Sequence, residues 1–241
     1  MPESVRAPDT TQWEWSHLEF YPVKRSMPSP AGLFMLTAMD LFDAARNCRD
    51  CPGVVPGSAV LGIANGPIPC SVMFIGEAPG RLGAARTRVP FSGDESGRRF
   101  DALLASAGMA RDRVFVTNAV LCLPLDAARR NRRPSTDEVS GCSRHLAATL
   151  DAVCPSIVVT LGAVALASLQ RIEPHALSLS QDVALAAPWA GRTLIPLYHP
   201  GRQAQLHRPW AQQLEDWRVV ARIAGAATPE RISGGFAPRA P

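Results

Sequence analysis

The sequence predicts an α/β fold in which helices cover both faces of a mostly parallel sheet. Three observations carry that expectation. Short apolar segments rich in Val and Ile alternate with segments of helical periodicity, short connections join them, and glycine or proline turns punctuate them. A chain of 241 residues is long enough for one full-sized domain with its own core.

Residues 1–30 carry Pro2, Pro8, Pro22, Pro28 and Pro30 and read as an irregular arm; Trp13, Trp15, Phe20 and Tyr21 give it apolar surface with which to dock on the body. The folded body is expected over 31–225. Residues 31–47 have helical periodicity and deliver the chain to Cys48. AVLGIANG (59–66) and SVMFIG (71–76) then read as strands. A helix is expected over 96–109, closed by Gly108, followed by a strand over 113–120 and a loop rich in Arg and Pro. Ser135 or Thr136, with acids in the turn that follows, marks the start of a helix running to about Val153. PSIVVTLG reads as a strand, AVALASLQRI as a helix, RTLIPLYHP as a strand and 207–225 as the last helix. The tail, 226–241, lacks periodicity and is expected to be mobile.

Composition narrows the function. Apolar residues make up 46% and charged residues 19%, as in a soluble globular protein. No apolar run approaches the roughly 20 residues that span a bilayer, and the N-terminus lacks the apolar core of a signal peptide, so a cytoplasmic location away from membranes is expected. A net charge of +4 suits nucleic acid as a partner without requiring it. Lys24 is the only lysine, so the basic side chains are almost all arginine, whose fork matches phosphate.

Ligands of parallel α/β sheets bind beyond the carboxyl ends of the strands. Here those ends carry Glu77, Asn118 and His199, and three polar groups at three such ends point to one active site. Cys48, Cys51, Cys122 and Cys142 follow a C-x2-C, 70-residue, C, 19-residue, C pattern, the kind of set that holds zinc or an iron–sulfur cluster. Cys70 and Cys154 stand in or beside apolar segments and read as core.

GEAPG (76–80), PFSG (90–93), TNAVLC (117–122) and YHP (198–200) together resemble the uracil-DNA glycosylase superfamily over about residues 32–224. With the four cysteines, the chain looks like the iron–sulfur branches, families four and five. Glu77 in GEAPG resembles family four, whereas GRLGAARTRVPFSGDESG and YHPGRQ resemble family five. The resemblance implies a three-layer αβα sandwich around a central, mostly parallel four-stranded sheet. It also implies a monomeric DNA-repair enzyme that acts on uracil in single- or double-stranded DNA.

Roles follow residue by residue. Phe91 would stack on the flipped base, an aromatic contact of about 1–3 kcal/mol; core packing is its other reading. Asn118 would donate to uracil O4 and accept from N3–H, provided a backbone group holds its amide in one orientation. His199 would donate to uracil O2 as charge develops there, on a loop stiffened by Pro200. Glu77 would position water, read the base edge or face a helix dipole. The water-orienting Asp of the related family-one motif falls on Ala78. Asp94 is a second candidate carboxylate, with helix capping as its alternative. Gly76, Ala78 and Gly80 would line the pocket, Gly80 replacing a bulky aromatic found in some relatives. Pro200, Gly201, Arg202 and Arg208 would contact DNA, together with the Arg129, Arg130, Arg132 and Arg133 loop. The four cysteines would hold a [4Fe–4S] cluster, with zinc as the alternative. His145, His175 and His207 read as structural.

Three rivals remain open on the sequence. They are a uracil-DNA binder or crosslinker without turnover, a redox-active nucleotide-processing protein, and a phosphate-cradling nucleotide binder.

Overall fold

A computed structural model describes residues 38–227. The expected N-terminal arm, and all but two residues of the tail, lie outside them. The helix expected over 31–47 is described as α1 (Ala38–Asn47). It is followed by β1 (Val72–Gly76), α2 (Ala84–Thr87), α3 (Glu95–Ser106), β2 (Phe115–Asn118) and α4 (Thr136–Val153). β3 (Ile157–Leu161), α5 (Ala163–Leu169), β4 (Ala187–Trp189), β5 (Arg192–Leu197) and α6 (Trp210–Ala227) complete the order.

The sheet runs β2-β1-β3-β5-β4. Its first four strands are parallel, as expected. Every residue of β1, β2 and β3 is buried, because helices cover both faces and leave no solvent side to alternate with. Met73, Ile75, Phe115 and Val158 pack against α1, α4 and α5. Their neighbours Val72, Phe74, Val116 and Val159 face α3 and α6 on the opposite side. From β1 the chain moves one way to β2 and then returns past β1 to β3. That reversal opens a crevice beside the carboxyl end of β1.

Two expectations are corrected. The sheet has a fifth strand, β4, antiparallel to β5. It is three residues long and contains Pro188, so periodicity could not mark it, and its place at the sheet edge tolerates the missing N–H. Ala190 and Gly191 join it to β5, both with positive φ, as a tight two-residue hairpin requires. Residues 59–66 are not a strand but irregular chain ending in a short helical turn, Ile63–Asn65. Their polar groups pair outward: the Val60 N–H donates to the Leu121 carbonyl, and the Asn65 amide donates to the carbonyl of Val116 at 2.7 Å. The segment therefore braces the end of β2 without extending the sheet. Among the described residues no helix is long and apolar enough to cross a membrane.

The Arg-rich loop is anchored by a buried ion pair. Arg132 Nη1 and Nη2 bind the Glu138 carboxylate at 2.8 and 2.5 Å, and Nη2 also donates to the Gly53 carbonyl. Glu138 is simultaneously the acid of a capping box with Ser135 at the start of α4. Its side chain is only 6% exposed. Hydrogen bonding from Arg132 holds its carboxyl below the usual glutamate range, against the opposing pull of burial. The stability this contributes is therefore present above the ordinary glutamate pKa and is lost as pH falls through the lower folded value. Glu138→Ala, which removes this partner of the partly exposed Arg132 and the capping-box acid, is expected to cost about 1–3 kcal/mol in a denaturant titration. Replacing both partners with Met and Leu should cost less.

Candidate active site

The carboxyl ends of β1, β2 and β5 open into a cleft of about 660 Å³. It is lined by Glu77, Ala78, Gly80, Phe91, Asp94, Asn118 and His199, so the residues singled out on the sequence do meet. Strand register starts the construction: Gly76 pairs with Asn118 across β1 and β2. A Cβ on Gly76 would meet Asn118 Oδ1 at 2.5 Å and the Phe91 ring at 2.7 Å, so only glycine lets both side chains close over the strand end. Asn118 is 3% exposed. The backbone group expected to hold its amide is not there: the carboxamide makes no hydrogen bond among the described residues. Both of its polar atoms are left for a ligand.

Phe91 adopts φ +50, a conformation uncommon outside glycine and sustained only where surroundings over-determine it. The surroundings are aromatic. Its ring stacks on Phe100 with centroids 4.8 Å apart, Phe100 meets Phe74 edge-on, and Phe74 stacks on Trp217. Phe91 therefore joins the core on one side and also lines the cleft.

His199 lies 5.5 Å from Phe91, centroid to centroid. The Gly201 N–H donates to its Nδ1 at 2.9 Å. Burial pushes its pKa down to about 4 against the opposing charge of Asp94. The imidazole is consequently neutral near pH 7. With Nδ1 engaged as an acceptor, its single proton sits on Nε2. Gly201 has a definite task here, since a Cβ would press on His199 Nδ1 at 2.9 Å.

The two carboxylates differ. Burial pushes the Glu77 carboxyl up, and Arg133 partly offsets it. Asp94 caps α3, its Oδ1 accepting from the Gly97 N–H at 2.9 Å. Its other oxygen stands against Gly83 and Gly80, and a Cβ at Gly80 would approach it to 3.0 Å. Asp94 is thus both the helix cap and part of the cleft wall. The space left by Gly80 is bounded by this carboxylate and by Asn131.

Arg202 is exposed, lines the cleft and has no ion pair among the described residues. Arg208 requires a correction. Its Nε and Nη2 bind the Asp216 carboxylate at 2.9 and 2.6 Å, so its fork braces the loop against α6 and is not free for phosphate. Arg132 is occupied in the same way by Glu138. Two residues escaped the sequence reading. Asn131 Oδ1 accepts from the Arg81 N–H at 2.9 Å, tying the Arg-rich loop to the GEAPG turn; within a run of arginines nothing distinguished it. Leu206, on the short helical turn Arg202–Leu206 that follows Gly201, is 84% exposed. A large apolar residue so close to the histidine was the available signal.

Away from the cleft, Cys48, Cys51, Cys122 and Cys142 line a cavity of about 90 Å³. All four are free thiols. Burial above all, with help from neighbouring sulfurs, pushes the thiols of Cys51, Cys122 and Cys142 up, Cys142 to about 12. Two donors already face the sulfurs: the Leu121 N–H reaches Cys142 Sγ at 3.4 Å, and Arg144 Nη2 reaches Cys48 Sγ at 3.5 Å. Among the described residues no three His, Cys, Asp or Glu side chains form a group able to hold a metal ion as they stand. The sulfurs surround a space and do not converge on a point. His145, read as structural on the sequence, lines this same cavity. Its place one helical turn after Cys142 was the overlooked signal.

Comparison with known proteins identifies the family. Residues 63–219 match the family model described as "Uracil DNA glycosylase superfamily". A type-4 uracil-DNA glycosylase of Archaeoglobus fulgidus is 29% identical over 198 residues, covering 79% of this chain and 94% of that one. A type-5 uracil-DNA glycosylase of Pyrobaculum aerophilum is 33% identical over 161 residues, covering 55% and 69%. Among solved structures, Pedobacter heparinus SMUG2 superimposes with a TM-score of 0.46 at 13% identity, over 65% of this chain and 75% of that one. With its parallel sheet, its glycine-paired asparagine and a family match over most of its length, the chain belongs to the uracil-DNA glycosylase superfamily.

Proposed function

We propose that the protein excises uracil from DNA, hydrolysing the N-glycosidic bond of a flipped nucleotide and leaving an abasic site. One observation carries the reading. A carboxamide with no partner among the described residues and a neutral imidazole with its proton on Nε2, each at a strand end, line one cleft with an aromatic side chain from the loop before α3.

In that cleft Phe91 stacks on the base, while the Asn118 amide donates to O4 and its carbonyl accepts from N3–H. Cytosine offers the reverse pattern at those two positions, so it is rejected only while the amide keeps this orientation. As the bond between C1′ and N1 breaks, its electron pair passes to the base and charge gathers on O2, where His199 Nε2–H donates. Water then adds to C1′ and gives up a proton to a carboxylate or to solvent. Glu77 and Asp94 both reach the cleft, and Asp94 is the one whose charge acts on His199. Arg202, Pro200 and Gly201 meet the backbone beside the flipped nucleotide, and Leu206 fills the gap that it leaves in the stack. A single chain carries this complete set, in keeping with action as a monomer.

The four cysteines fit a [4Fe–4S] cluster better than zinc, because they ring a cavity and a zinc site would need all four sulfurs about 2.3 Å from one centre. When bound, the cluster supplies a redox-active centre and ties the C-x2-C segment to α4 and the end of β2.

The test is single-turnover excision from a uracil-containing oligonucleotide, read as alkali-labile strand breaks; tight binding with no breaks would make the protein a binder. His199→Ala should slow excision about 10²–10³-fold with an unchanged melting temperature, and an unchanged rate would sink the assigned role. Because the imidazole stays neutral well below the ordinary histidine value, excision should hold from pH 8 through 6.5 and fall only as pH nears about 4. An acid limb centred at 6.5 would contradict the neutral ring.

Asp94→Asn keeps a good helix cap while removing the charge. It should slow the reaction about 10²-fold without loss of stability; no change would move the water-orienting role to Glu77, where Glu77→Gln would carry the loss. Leu206→Ala should slow excision from double-stranded DNA more than from single strands, since only the duplex has a stack to refill. Equal effects on both would remove the wedge.

A further inference from the structure

His145 is 7% exposed, on α4, and shares the cavity of the four thiols. Its Nε2 is fully buried and has no hydrogen-bond partner. A buried imidazole nitrogen left unpaired is costly, and such groups in folded proteins are nearly always satisfied by something. The neighbouring polar groups are already committed. Arg144 donates to Cys48 Sγ and pairs with Asp50, the Leu121 N–H is taken by Cys142 Sγ, and the His145 carbonyl accepts from Thr149. The cavity that His145 lines is ringed by the four cysteine sulfurs, with Arg49 and Asp50 at its edge already engaged by their own neighbours.

We infer that His145 is a hydrogen-bond donor to the iron–sulfur cluster, its Nε2–H directed at a sulfide or a cysteine sulfur. The inference rests on the cluster reading above. It makes His145 a positioning residue and not a fifth ligand, since four thiolates complete a [4Fe–4S] cluster. With the Leu121 N–H and Arg144 it places three donors around the sulfurs. Hydrogen bonds to cluster sulfur withdraw electron density, and they favour the more negative reduced state.

The experiment uses the protein purified anaerobically with its metal content intact. Iron and acid-labile sulfide are quantified first; their absence from the wild type overturns the cluster reading and this inference together. With the cluster present, His145→Phe should retain four ligands and an ordinary excision rate. It should nevertheless lower the cluster's midpoint potential and shift its Fe–S stretching bands in resonance Raman spectra. His145→Gln, which keeps an N–H donor, should lie closer to the wild type in both. Wild-type potential and bands in both variants would overturn the inference while leaving the cluster in place. Nitrogen-15 NMR of histidine-labelled wild type requires no substitution: a His145 ring protonated at Nε2 supports the donor, and a bare Nε2 overturns it.

Discussion

At the carboxyl end of β1 there is no room for a side chain, and the site is assembled around that vacancy. Parallel pairing brings Gly76 opposite Asn118, and the missing Cβ lets the carboxamide and the Phe91 ring occupy the same small volume. A methyl group there would displace one or the other. Asn118 and Phe91 are therefore positioned by one backbone register, which the packed sheet fixes on both faces.

The chemistry on the other side of the cleft depends on dryness in the same way. Phe91 is held in its uncommon backbone conformation by a run of rings reaching Trp217, and His199 sits against that apolar wall. Burial keeps the imidazole uncharged, and the Gly201 N–H decides which nitrogen carries the proton. The Nε2–H donor is fixed by the fold itself, the kind of arrangement that preorganised electrostatics requires.

The parallel core was legible because its strands are apolar runs bounded by glycine, and the ends of β1, β2 and β5 named the site before any coordinates did. Residues 59–66 misled because an apolar composition alone does not make a strand; Asn65 takes its hydrogen bonds from β2 and from Gly62, and the segment caps the sheet end instead. β4 was invisible because three residues with a central proline carry no period. Arg208 looked like its neighbour Arg202, and only the approach of Asp216 from α6, eight residues on, separates a brace from a free cation. His145 shows the opposite failure. Its spacing from Cys142 was plain, but a histidine has meaning near thiols only once the fold shows that β2, α1 and α4 bring them together.

Asn131 and Arg132 are adjacent in the chain and face different sites. Asn131 holds the Arg81 N–H beside the GEAPG turn, while Arg132 reaches the Gly53 carbonyl, two residues beyond Cys51. The interval between the thiol cavity and the cleft at the strand ends is thus bridged by one peptide unit with a side-chain hydrogen bond at either end. Oxidative damage that loosens the C-x2-C segment would slacken this tether first. The edge of the cleft would then loosen while the sheet, and the side chains at its strand ends, stayed folded.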